Sequence, residues 1–149
     1  MPTTLPLAHA VGPKGRVIAV EATEYAHEKL RRNLELNPDL IPRVQLIHSI
    51  LVAAPSKPVE TAIASSCPLH DKETVHPTLG GALHAVDQAE ARTVDDVVTE
   101  AGLPRIDLIK LDVDGHELTV LQGARETLKR FMPPLLIELG PLLPRGAGA

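Results

Sequence analysis

Apolar positions along the chain recur with two alternating periods. GRVIAVE, Gly15–Glu21, is a short β-branched run that follows the turn-forming GPKG and ends in an acid, the pattern of a buried strand. Thr23 then offers a helix N-cap, with Ala26, Leu30 and Leu34 at helical spacing behind it. Asn37-Pro38 ends that helix, because proline cannot continue it and restricts the residue before it. RVQLIHSILV, Arg43–Val52, predicts a second strand. The period lapses from Ala53 to Ala91, where prolines and a Gly80-Gly81 pair interrupt it, so this stretch reads as an insertion with short strands or a mobile loop. It returns at TVDDVVTEAG, where Thr93 and Asp96 resemble a capping box with the shorter acid and Gly102 suits the position after the helix. Ile106–Leu111 predicts a third strand. Leu118, Leu121, Leu128 and Phe131 predict one helix from about His116 to Phe131. Pro133-Pro134 ends it, Leu135–Leu139 is a fourth strand, and residues 140–149 form a patternless, frayed tail.

Strands alternating with helices predict an α/β domain with a parallel sheet, and ligands of such sheets bind beyond the carboxyl ends of the strands. At 149 residues the chain has the size of one domain, and 44% hydrophobic with 23% charged residues is ordinary for a globular protein. Aromatic residues make up only 1%, so the core is aliphatic and offers little stacking surface to single-stranded nucleic acid. The net charge of −4, with no dense Lys/Arg block, argues further against nucleic acid. Arg31-Arg32 lies amid Glu28 and Glu35, as on a solvated helix face. No apolar run approaches the ~20 residues that span a bilayer, and Met1–Val11 lacks the features of a signal peptide. Cys67 stands alone and cannot form an intrachain disulfide. The expectation is a soluble, cytoplasmic protein that binds neither nucleic acid nor membrane.

The strand ends carry the candidate chemistry. Glu21 can accept two hydrogen bonds from a ribose diol, or can simply favour the dipole of the helix after it. Asp112, Asp114 and Glu117 can position an ammonium group, bind a divalent ion or act as a base; alternatively they decorate a helix N-terminus. Lys110 lies two residues before Asp112 and so shares its side of the strand. It can orient a substrate oxygen or form a structural ion pair. His116 can serve as a base near neutral pH, or can be solvated or simply packed. Cys67, His70, His76 and His84 lack the paired spacing of a zinc site, so no metal is expected. GPKG lacks the spacing of a phosphate loop and reads as a turn.

Several of these segments together resemble a known family. GRVIAVEATEYAHEKLRRNLELN, ARTVDDVV and IDLIKLDVDGHELTVLQGARETLKRFMPPLLIEL are similar to the FkbM family of S-adenosylmethionine-dependent methyltransferases. The most specific element is the run Lys-x-Asp-x-[Glu/Asp]-Gly-x-Glu, here Lys110, Asp112, Asp114, Gly115 and Glu117, followed by Val120-Leu121-x-Gly123-Ala124. The likeness covers most of residues 12–139 outside the insertion. It implies a class I methyltransferase fold, a Rossmann-like doubly wound sheet, with S-adenosylmethionine as cofactor. Glu21 would hold the adenosyl ribose, Ser49 would approach the adenine, and Asp112 would lie by the methionine end or the acceptor. His116 would be the base, with Asp114 or Glu117 orienting it or the substrate. The acceptor would be a small-molecule hydroxyl on a sugar or a secondary metabolite.

The chain departs from that pattern in places. Ala22 stands where the family usually has proline, and Asp114 where it usually has glutamate. The resemblance also implies a first, central strand and an Asp-x-Gly-x-x-x-Gly cofactor loop ahead of TLPLAHAVGPKG, and further strands after Leu139. On that comparison residues 1–149 read as a single partial domain, truncated at both ends, and an oligomer or partner would cover the sheet left exposed. The competing readings are a non-catalytic remnant, a binding module and a nicotinamide-dependent oxidoreductase. The last would also use Glu21 on a ribose but has no place for the Lys110–Glu117 run and lacks G-x-G-x-x-G.

Overall fold

The computed structural model describes residues 3–54, 62–65, 82–85 and 89–138. The tail over 140–149, with Cys67, His70 and His76, lies outside the described residues. Helix α1 (Thr4–Ala10) leads through the GPKG turn into strand β1 (Val17–Glu21), followed by α2 (Glu24–Glu35), a 3-10 turn (Pro38–Arg43) and β2 (Val44–Leu51). Strands β3 (Ala62–Ser65) and β4 (Ala82–Ala85) pair antiparallel within the sequence insertion. Then come β5 (Glu90–Arg92), α3 (Val94–Ala101), β6 (Ile109–Leu111), α4 (Glu117–Gln122), α5 (Arg125–Phe131) and β7 (Leu135–Ile137).

The α/β alternation is as the sequence predicts, while one doubly wound sheet is not seen among the described residues. Among the described residues they form three small sheets: parallel β1-β2-β5, parallel β6-β7, and the β3-β4 pair. No described strand pairs with the outer edge of β1 or with the edge of β6 that faces away from β7.

One core forms where α1 and α2 cover the first sheet. Ala8, Ala19, Leu30, Leu34 and Leu40 are buried together, with Leu5, Val17, Val44 and Leu46 packed against them. Thr23 caps α2 by accepting from the Ala26 N–H at 3.2 Å, and Ala26, Leu30 and Leu34 form its buried stripe. The capping box at α3 also forms. Thr93 Oγ1 accepts from the Asp96 N–H at 3.0 Å, Asp96 accepts from the Thr93 N–H at 3.0 Å, and Gly102 closes the helix in a left-handed conformation.

Two predicted elements differ. The third strand is confined to Ile109–Leu111, because its partner β7 begins only after Pro133-Pro134 and offers residues 106–108 nothing to pair with. Its first bond runs from the Ile109 N–H to the Pro134 carbonyl, 3.0 Å. The single helix expected from His116 to Phe131 is instead two, α4 and α5, divided at Gly123-Ala124. Packing forces the break. A Cβ at residue 123 would overlap the Val52 carbonyl oxygen, so glycine lets the backbone of this junction lie directly against the end of β2. The Gly123 carbonyl accepts from the Asp95 N–H at 3.0 Å, and the Asp95 carboxylate accepts from the Glu126 and Thr127 N–H groups at 3.1 and 2.7 Å. A residue of α3 thus caps α5 across the interface and satisfies donors that a continuous helix would have bonded internally.

Candidate functional site

The carboxyl ends of β1 and β6 bring the sequence-predicted residues Glu21, Lys110 and Asp112 together. Lys110 and Asp112 follow the strand period to one face and form an ion pair, Nζ to Oδ2 2.6 Å, with side-chain exposures of 15% and 31%. The pair explains how a mostly apolar strand accommodates a lysine: its ammonium meets a carboxylate. Glu21, the last residue of β1, is half-buried. Burial pushes its carboxyl up from the ordinary carboxylate range; the Asp112 carboxylate adds to this and the Lys110 ammonium opposes it. The two strand ends are therefore within electrostatic reach of each other although their edges share no hydrogen bond.

After Asp112 the chain turns sharply. Asp114 has φ +48° and Gly115 φ +99°, a conformation that glycine adopts without strain and that aspartate tolerates better than most residues. Glu117 closes this turn. It is 8% exposed, and its Oε1 accepts from the Gly115 N–H at 3.0 Å. Its carboxylate is thus spent on holding the turn. His116, the N-cap residue of α4, makes no capping bond with its side chain and is half-buried at the same turn.

Ser49 stands apart from this group. It is 2% exposed and lies one residue beyond His48, hence on the opposite face of β2. His48 is the residue in register with Glu21, so the imidazole and the carboxylate share a face. Its ring stacks on His27 of α2, centroids 4.8 Å apart at 27°, and its Nε2 is buried without a hydrogen-bond partner. Burial and the neighbouring His48 together push the His27 imidazole below its usual range. Sequence reasoning missed His48 because a histidine inside an apolar run carries no spacing signal. The parallel register to Glu21 is what marks it.

Among the described residues, no three His, Cys, Asp or Glu side chains come together as metal ligands, and no helix is long and apolar enough to cross a membrane.

Comparison with known proteins agrees with the resemblance of the strand-end motifs. Over 152 aligned residues, 85% of this chain and 58% of the relative, the chain is 29% identical to methyltransferase sdnD of Sordaria araneosa. A 41-residue stretch is 51% identical to 2-O-methyltransferase NoeI of Sinorhizobium fredii, covering 28% of this chain and 17% of that protein. The chain therefore spans little more than half of the first relative and a smaller part of the second. No solved structure gives a significant match. The profile of the methyltransferase FkbM domain, however, matches residues 2–147, nearly the whole chain, and the chain belongs to that family.

Proposed function

We propose that the chain is the catalytic part of an S-adenosylmethionine-dependent methyltransferase that methylates a hydroxyl oxygen of a small acceptor, such as a sugar or a secondary metabolite. Family membership supports methyl transfer, and the name of one relative, a 2-O-methyltransferase, supports oxygen as the atom methylated. The observation that carries the reading is the convergence of Glu21 with the Lys110–Asp112 pair at the strand ends, where an α/β sheet receives its ligand.

The residues present fit an adenosine-bearing cofactor. Glu21 offers a half-buried carboxylate that would gain from the two hydroxyl donors of a ribose, and the orphaned His48 Nε2 lies on the same face. When bound, the cofactor supplies a methyl group on a sulfonium, which an oxygen takes up by in-line displacement. Asp112, fixed by Lys110, would orient the methionine end or the acceptor at that point. His116 would accept the hydroxyl proton as the oxygen attacks, and Glu117 would hold the turn that presents it. Asp114 sets the direction of that turn through its left-handed backbone. Ser49, expected near the adenine, would reach it only from the buried side of β2. On the same reading, an oligomer or a partner would cover the edges of β1 and β6 that no described strand pairs with.

Calorimetric titration of the folded chain with S-adenosylmethionine tests this. Saturable binding is expected, weakened in Glu21→Ala by about 1–3 kcal/mol through loss of charge-assisted hydrogen bonds. A dissociation constant unchanged in the variant would remove Glu21 from the site; no binding by folded protein would favour a remnant or a binding module.

A further inference from the structure

The β6-β7 register brings to this rim a carboxylate that the strand-end motif does not include. Lys110 pairs with Leu136 and Leu111 with Ile137, and the last bond of the ladder runs from the Glu138 N–H to the Leu111 carbonyl, 2.9 Å. Glu138 and Asp112 are thus the residues that directly follow the last pair on their two strands. Leu136 is in register with Lys110 and side chains alternate along a strand, so Glu138 falls on the side of Lys110 and Asp112. That face is open beside it: Leu136, two residues earlier on the same side, is 53% exposed.

The two carboxylates differ in what they have left to offer. The Asp112 charge is offset by Lys110 at 2.6 Å. Glu138 is exposed and has no side-chain partner among the described residues, so it supplies the net negative charge of this face.

We infer that Glu138 is a cofactor-discriminating residue, whose unpaired carboxylate favours the cationic sulfonium of S-adenosylmethionine over the neutral thioether of S-adenosylhomocysteine. This rests on the proposed cofactor reading. In the transfer, the sulfur–methyl bond breaks with its electron pair left on sulfur, the acceptor oxygen forms the new bond, and the hydroxyl proton leaves to His116. The cofactor thereby loses its positive charge, and with it the attraction of Glu138, so the same residue that favours the substrate form weakens retention of the product form. A single carboxylate facing a cation across water at about 5–8 Å is worth roughly two- to fourfold in affinity, and more at low salt.

The test is calorimetry of the whole chain with S-adenosylmethionine and with S-adenosylhomocysteine, in parallel for wild type, Glu138→Gln and Glu138→Asp. Expected is a preference for the sulfonium ligand that falls roughly two- to fourfold in Glu138→Gln, is largely kept in Glu138→Asp, and shrinks as salt is added, with the thioether affinity unchanged. A ratio of the two affinities that is the same in Glu138→Gln as in wild type would overturn the inference while leaving the cofactor reading intact. Failure of both ligands to bind the folded wild-type chain would overturn the cofactor reading itself, and this inference with it.

Discussion

Asp95 is the side chain whose removal best tests how the two halves of the fold are joined. Its carboxylate sits in the first turn of α3 and accepts from two backbone donors at the start of α5, Glu126 N–H at 3.1 Å and Thr127 N–H at 2.7 Å. The first of these bonds is exposed and contributes little. The second is partly buried, and Thr127 itself is only 3% exposed, so its donor has no ready access to water once the carboxylate is gone. Losing a cap of this kind costs about 1–2 kcal/mol, and the anionic charge near two helix N-termini adds roughly 0.3–1 kcal/mol. Asp95→Ala is therefore expected to lose about 1.5–2.5 kcal/mol, which for a domain of this size corresponds to a melting temperature lower by about 5–9 °C. Asp95→Asn keeps an acceptor oxygen but not the charge and should fall between. The assay is urea and thermal denaturation followed by circular dichroism. If Asp95→Ala stays within about 0.5 kcal/mol of wild type, the range of an ordinary surface change, the contact is incidental and the reasoning fails.

Two further outcomes follow from the same junction and from the rim. Gly123→Ala places a methyl group against the Val52 carbonyl, which is backbone and cannot swing aside, so a loss of about 1–3 kcal/mol is expected; unaltered denaturation midpoints would mean that the α4–α5 junction shifts freely. Glu21→Gln probes the raised carboxyl. The folded state holds that proton more tightly than the unfolded state, so the stabilisation is fully present below the unfolded carboxyl range and is lost as pH rises through the folded value. The variant should therefore match wild type in acid and exceed it in stability at neutral pH. Parallel pH–stability curves would show that burial does not perturb Glu21.

The residues that declared themselves in the sequence are those whose role is local. Thr23, Thr93 with Asp96, and Gly102 act within three or four residues of a helix end, and each is found doing so. Lys110 and Asp112 were readable as neighbours because a strand repeats every two residues. What the pattern concealed depends on contacts between distant segments. The apolar period runs unbroken from Leu118 to Phe131, and only the approach of Val52 shows why Gly123 interrupts it. Asp95 reads as an acid in the first turn of its own helix, yet its partners lie 31 and 32 residues further on. Ile106–Leu111 reads as one strand-like run, and where its strand begins is decided by Pro134, just ahead of the partner strand. His48 shares a face with Glu21 through sheet register, which no local period encodes.

The division at Gly123 makes α4 and α5 separate mechanical bodies. Six residues rise only about 9 Å and are far too few to hold a helix by themselves, so α4 stays ordered through the burial of Glu117 and Val120. Helix α5 is anchored independently, through Asp95, to α3. A fluctuation that frees α4 therefore need not disturb α5, and it carries with it His116 and the turn after Asp112. The fold thus places its candidate base at the head of a six-residue helix, while Lys110 stays on the paired strand and Asp112 directly after it.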